Sequence, residues 1–316
     1  MPARDRAILD LRHLDTAVDL VVEPRRRPLE GVTVNRVWPI PERRLIGPFV
    51  FLDHLEPVKL AAGQGLDVPP HPHIGLATVT WLFDGELLHA DSLGVRQAIR
   101  PGELNWMSAG RGITHSERTP PGERGRASRL QGVQAWVALP VEAEQGEPFF
   151  EHYGADELPL IETGDSKLRL IAGEAFGERA PVANASPLFY LEAELEAGAR
   201  LDLPPSLGQR GIYLVSGSIA IDDHEYAAGR LLVIDDDRAC LINATGTARL
   251  MLLGGAPLDG RRHIWWNFVA SDPARIEQAQ ADWMSGRFPQ VPGDDGAMTM
   301  PASAFSPASG DRNSPE

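Results

Sequence analysis

Cys240 is the one cysteine in 316 residues, which excludes an internal disulfide and any thiolate-rich metal site. No apolar run approaches the roughly 20 residues needed to cross a bilayer. The opening Met1-Pro2-Ala3-Arg4-Asp5-Arg6 leads into a charged segment with nothing that reads as a signal peptide. Basic residues are outnumbered, 30 against 44, for a formal net charge of −14. The runs Arg25-Arg26-Arg27 and Arg43-Arg44 are too short and scattered to grip a phosphate backbone. Together these shortages predict a cytoplasmic protein with no membrane segment and no direct nucleic-acid binding.

Helical periodicity is also scarce, whereas turn residues are plentiful: 31 glycines and 27 prolines. That is about 18 per cent, above the average of roughly 12 and below the level of low-complexity chains. Between Val32 and Val141 short apolar or alternating runs are cut by Gly, Pro and Asp. Leu76–Phe83 is rich in β-branched and aromatic residues and stops at Asp84-Gly85, so a hairpin is expected with Glu86–Asp91 as its return strand. A Pro101-Gly102 turn precedes another strand, and Leu130–Leu139 alternates. The expected fold class is all-β, a β-barrel or sandwich.

Pro140 to Pro159 reads as a connector, after which the same grammar resumes. Ile212–Val215 stops at Ser216-Gly217, and Ala228-Gly229 restates the turn at Pro101-Gly102. Placing Gly217 on Gly85 and Gly229 on Gly102 makes the second half a diverged repeat of the first. The expected division is residues 1–145 as an N-terminal barrel, 146–290 as a C-terminal barrel, and 291–316 as a disordered tail rich in Ser, Pro, Ala and Gly. One helix is expected from Asp272 as N-cap and Pro273 in the first turn, with Ile276, Ala279 and Trp283 on its apolar side.

The chemistry sits in Pro69-Pro70-His71-Pro72-His73-Ile74-Gly75 and in Gly110-Arg111-Gly112-Ile113-Thr114-His115-Ser116-Glu117. Alternate side chains of a strand share a face, so His71 and His73 can point together, as can His115 and Glu117. If the two strands meet across a barrel, three imidazoles and a carboxylate converge. That set suits a divalent ion of intermediate softness: iron, manganese, nickel, cobalt or zinc. Counting from the turn glycines puts Leu203 and Pro205 where His71 and His73 stand, and Ile242 and Ala244 where His115 and Glu117 stand. The second copy therefore lacks every ligand, which argues against a purely structural ion.

A tandem barrel with H-x-H and a distant H-x-E in its first copy resembles the pirin family of the cupin superfamily. The matching stretches are Gly47–His54, His71–Gly75, Pro101–Ile113, His115-Ser116-Glu117 and the closing Trp266-Asn267-Phe268-Val269. The resemblance covers most of residues 30–290 and implies a bicupin fold with one metal, iron(II), in the N-terminal barrel. It implies His71, His73, His115 and Glu117 as ligands. Bacterial pirins are described as quercetin 2,3-dioxygenases, and eukaryotic pirin as a nuclear iron-dependent co-regulator. Where many pirins carry Glu, four residues after the second motif histidine, this chain has Ala77, so the carboxylate ligand is left to Glu117. Ala77 is expected to make the nearby pocket wall smaller and more apolar.

The resulting expectation is a metal-dependent dioxygenase acting with dioxygen on a flavonol-like substrate such as quercetin, Glu117 doubling as general base. The alternative is a metal-binding regulatory protein, without turnover, whose ion sets the affinity for a protein partner. His54 reads as a core histidine, Trp106 and Met107 as core, and His263, Trp265 and Trp266 as inter-domain packing. His89, on the hairpin's return strand, reads either as a plain strand residue or as one lining the pocket. Arg111 is either a turn residue or an anchor for an anionic substrate.

Overall fold

Every strand pairing in the named sheets is antiparallel, and the strands fall into two sandwiches of similar plan. A computed structural model describes residues 8–301. In the first half a seven-stranded sheet runs in the order Phe149–Tyr153, Leu104–Ser108, Leu76–Asp84, Ser128–Ala138, Phe49–Leu60, Val32–Trp38, Arg25–Leu29. The accompanying four-stranded sheet runs Asp67–His73, Ile113–Arg118, Leu87–Asp91, Arg96–Ile99. The second half repeats the plan, its four-stranded sheet running Arg200–Leu203, Cys240–Ala244, Ser218–Ile221, His224–Ala227. The predicted all-β class is observed: strands dominate both halves, with one short helix near the C-terminus. The sheets of each half stay separate rather than closing into one barrel.

The expected hairpin at Asp84-Gly85 does not form. Leu76–Asp84 pairs with Leu104–Ser108 and Ser128–Ala138, whereas Leu87–Asp91 pairs with Ile113–Arg118 and Arg96–Ile99 in the other sheet. Gly85, at φ +89°, carries the chain between the sheets where a Cβ would stand 2.2 Å from the Arg129 carbonyl oxygen. Gly217 makes the equivalent crossing at φ +79°, with a Cβ 2.1 Å from the Thr247 oxygen. A Gly turn specifies a tight reversal, but which sheet receives the next strand depends on distant partners. The repeat survives in three dimensions, because both glycines do the same job.

Strand register refines the placement of the repeat. His71 lies opposite His115, whereas Ile242 lies opposite Leu201 and Leu203 lies opposite Cys240. If Ile242 stands for His115, then Leu201 and Leu203 stand for the histidine pair, two residues earlier than counting from the turns gives. Leu201, Leu203, Ile242 and Ala244 are all buried. The second interior is filled by aliphatic side chains.

Pairing does not follow the linear order of the halves. The early strands Ile8–Asp10 and Val18–Val22 extend the large sheet of the second half through Leu231–Ile234. Phe149–Tyr153, within the expected connector, is instead an edge strand of the first half, paired with Leu104–Ser108. One apolar core joins Ala77, Val79 and Trp81 of the first half to Tyr190, Leu191 and Tyr213 of the second. Trp81 Nε1 donates to Glu192 across this seam at 2.9 Å.

The helix Pro273–Met284 forms as expected, with the Asp272 carboxylate accepting from the Ala274 amide at 2.9 Å. Ile276 and Ala279 are buried against Ile74 and Phe268. The first part of the expected disordered tail is held in place. Arg118 donates to both oxygens of Asp294 at 2.8 Å, and the Met298 amide donates to the Pro70 carbonyl at 2.8 Å. Composition conceals this, because the holdfasts are an arginine and a free edge carbonyl 176 or more residues away in sequence. Residues 302–316 lie outside the described residues.

Candidate metal centre

Three prolines flank the histidine pair, which suits the position of Asp67–His73 at the edge of its sheet: proline has no amide to give to a ladder and is tolerated on an edge. Strand alternation turns His71 and His73 to one face, and pairing with Ile113–Arg118 sets His115 opposite His71. Gly75 ends the motif at φ +65°, where a Cβ would lie 2.0 Å from the Val269 carbonyl oxygen. Its bareness lets the Phe268–Ala270 strand lie against the histidine strand, with the Val269 amide donating to the Ile74 carbonyl at 3.2 Å.

The structure brings His71, His73 and His115 together. One ring nitrogen from each lies within 4.8 Å of the others, and all three side chains are buried. His73 Nε2 and His115 Nε2 are 3.1 Å apart. Two bare imidazole nitrogens at that distance repel unless a proton or a cation lies between them. Metal–nitrogen bonds of about 2.1 Å meeting at right angles put donor atoms about 3.0 Å apart, so the spacing fits two neighbouring ligands of one ion.

Burial is the main cause that pushes His73 and His115 well below the ordinary histidine pKa, reinforced by mutual repulsion among the rings. His71 is also lowered by burial, against the opposing pull of the Pro69 carbonyl and Glu117. At neutral pH the three rings are therefore uncharged, the form that binds metals. His71 Nδ1 lies 2.9 Å from the Pro69 carbonyl oxygen and so donates to it, leaving Nε2 free.

Glu117 follows on the same strand, but a register shift separates it from His115 and places it opposite Val68. Gln134 Nε2 donates to both its oxygens at 3.1 Å and Thr80 Oγ1 donates at 3.2 Å. Its oxygens are not part of the close three-histidine group. The site is thus a buried cluster of three histidines with a hydrogen-bonded carboxylate beside it.

Residues 31–137 match the family model described as Pirin, and residues 190–289 the one described as Pirin C-terminal cupin domain. The chain belongs to the pirin family. A pirin-like protein of Caulobacter vibrioides is 47% identical over 273 residues, covering 85% of this chain and 94% of the relative. The crystal structure of a quercetin 2,3-dioxygenase from Acinetobacter baumannii is 32% identical with a TM-score of 0.82, covering 92% of this chain and 96% of that one. The fold is shared more distantly with a bacterial pirin, YhhW of Escherichia coli, solved in complex with nickel(II), at 19% identity and TM-score 0.58 over 74% of this chain and 96% of that one.

Several pirin-site neighbours escape a reading of motifs. Trp136 sets its ring edge-on to His73, with centroids 5.2 Å apart, and stacks on Phe51 at 4.0 Å. The Arg36 guanidinium lies 4.4 Å over Phe51 and is paired with Asp53. The alternation of the Leu130–Leu139 run does set Gln134 and Trp136 on one face, which was the available clue. Ala77 contradicts its expected role. Thr80 faces Glu117, so Ala77, Val79 and Trp81 face the other way, and Ala77 belongs to the core between the halves rather than to the site wall.

His89 is buried beside the cluster, its Nδ1 3.3 Å from His115 Nδ1. Arg111 is a turn residue paired with exposed Glu147, and its carbonyl accepts from Arg275. His54 is a buried core histidine whose Nδ1 lies 2.8 Å from the Tyr213 hydroxyl. Trp265 and Trp266 pack with Phe268 and the C-terminal helix. Among the described residues no helix is long and apolar enough to cross a membrane.

Proposed function

We propose that this protein is a metal-dependent dioxygenase for a flavonol-like substrate bearing a 3-hydroxy-4-keto group. Iron(II) would be held by His71, His73 and His115, with Glu117 as fourth ligand; manganese, nickel, cobalt and zinc suit the same donors. The supporting observation is the convergence of three buried imidazoles in one sandwich when the other is apolar at the matching positions. The name carried by the Acinetobacter relative points to the same substrate class.

The ion, when bound, supplies a Lewis acid that lowers the pKa of the substrate hydroxyl. The rest is done by the chain. Glu117 accepts the hydroxyl proton, and its hold by Gln134 and Thr80 keeps the carboxylate oriented for that transfer. The Phe51–Trp136 stack beside His73 offers a flat apolar wall to a planar ring system. Arg36, held by its ion pair with Asp53, lies over Phe51 and steadies that ring.

The test is incubation of protein loaded separately with each of the five metals with quercetin, with and without oxygen, following carbon monoxide release. Oxygen-dependent release with iron, lost in His115→Ala, is expected. No turnover with any metal would refute the proposal.

A further inference from the structure

We infer that Asp91 and His89 form a positioning relay that keeps the proton of His115 on Nδ1 and leaves its Nε2 bare toward the other two histidines. The relay rests on the metal-centre reading only for its purpose; its hydrogen bonds are a property of the chain itself.

The argument starts at a turn. Asp91 closes the strand Leu87–Asp91 and is fully buried. Its Oδ1 accepts from the amides of Leu93 at 2.9 Å and Val95 at 3.1 Å. Its Oδ2 lies 2.9 Å from His89 Nε2. An ionised carboxylate can only accept, so the proton in that contact belongs to His89 Nε2. A neutral His89 then has a bare Nδ1, 3.3 Å from His115 Nδ1. Of those two nitrogens His115 alone has a proton to give. Its Nε2 is therefore a lone pair, and it is this atom that lies 3.1 Å from His73 Nε2. His89 is kept in plane by Phe150, whose ring stacks on it at 4.5 Å and 21°. Phe150 comes from Phe149–Tyr153, so the edge strand of the seven-stranded sheet helps to hold the relay.

Outer hydrogen bonds of this kind fix the tautomer of a ligating histidine and raise its basicity, and their loss typically lowers metal affinity about 10–100-fold. Asp91→Asn makes a sharp prediction. The amide oxygen can keep the two turn amides, which leaves the NH2 facing His89 Nε2. His89 must then move its proton to Nδ1, which forces the proton of His115 onto Nε2, the nitrogen the metal needs. His89→Ala is milder, because His115 is then free to keep either tautomer.

Two measurements on the full chain decide the matter. Long-range proton–nitrogen NMR of the metal-free wild type at pH 7.5 should show His115 protonated on Nδ1 and His89 on Nε2. The opposite assignment for His115, as a doubly protonated His89 would impose, overturns the relay. Zinc competition against a chromophoric chelator should show Asp91→Asn weakened about 10–100-fold, His89→Ala weakened less, and the double variant restored to the level of His89→Ala. Losses that multiply in the double variant would mean that Asp91 only braces its turn, and overturn the relay. If wild type takes up no metal but shows the stated tautomers, the relay stands and the metal-centre reading falls.

Discussion

Replacing Arg262 with methionine removes a charge buried where the second half returns to cover the first. The Arg262 side chain is fully buried; it pairs with Glu144 at 2.8 Å and with Asp259, and donates to the Leu139 carbonyl from Nε and Nη2 at 3.1 and 2.9 Å. The Glu144 side chain is only 5% exposed and also accepts from the amide and hydroxyl of Ser271 at 3.1 and 2.7 Å. Methionine matches much of the volume but leaves Glu144 as a buried charge without its partner. Breaking a buried pair from one side costs about 3–5 kcal/mol, whereas replacing both partners with apolar groups is often near neutral. Unfolding entropy of about 2.1 cal/mol/K per residue converts that cost into a fall in Tm of about 5–8 °C for a chain of this length. Calorimetry or thermal circular dichroism on Arg262→Met, Glu144→Met and the double variant reads the effect directly. The double variant should recover more than about 1 kcal/mol relative to the sum of the singles. Additive losses, or a single-variant loss below about 1 kcal/mol, would refute the idea that this ion pair latches the seam.

His54 carries a pH prediction: burial pushes its pKa down to about 4 from 6.5. Above about pH 6.5 neither folded nor unfolded chains charge this ring; as pH falls to 4 only the unfolded chain gains the proton, and about 3 kcal/mol of stability is lost. The difference in stability between wild type and His54→Gln should therefore shrink over that window, and a difference independent of pH would contradict it. Because burial keeps His71, His73 and His115 uncharged well below the ordinary histidine range, metal retention should persist as pH falls through about 6.5 and fail only in more acid solution, as equilibrium dialysis at graded pH would show. Gly75→Ala should destabilise the chain and weaken metal binding together, since its Cβ would drive the Phe268–Ala270 strand off the histidine strand; an unchanged melt would count against that docking. Gln134→Leu removes a donor shared by both Glu117 oxygens and should lower metal affinity about 10–100-fold, with a further fall in kcat for the proposed reaction at saturating metal. Metal analysis and steady-state kinetics separate the two.

The histidine positions were legible because strand alternation has a period of two, which needs only the local sequence to put His71 and His73 on one face. The C-terminal helix was legible for the same reason, its cap and first-turn proline being neighbours in the chain. Glu117 was less so. Alternation groups it with His115, but the register shift between them is a property of the partner strand, and Gln134 and Thr80 arrive from the opposite sheet. His89 was hidden by the failed hairpin: only when Leu87–Asp91 joins the sheet of Ile113–Arg118 does it become a neighbour of His115. Ala77 was assigned to the wrong face because its distance in sequence from His73 says nothing about which way the next strand turns.

The sequence by itself determined an all-β, duplicated chain with three histidines in the first copy and none at the matching places in the second. Those features depend on composition, period and spacing, which survive without coordinates. Tertiary structure alone decided that early strands complete the second half, that Phe149–Tyr153 and Phe268–Ala270 complete the first, and that Asp91 reaches the cluster through His89. Each of these is a contact between segments that local pattern does not pair, and such contacts are selected by the shape and hydrogen-bonding capacity of surfaces that exist only after folding.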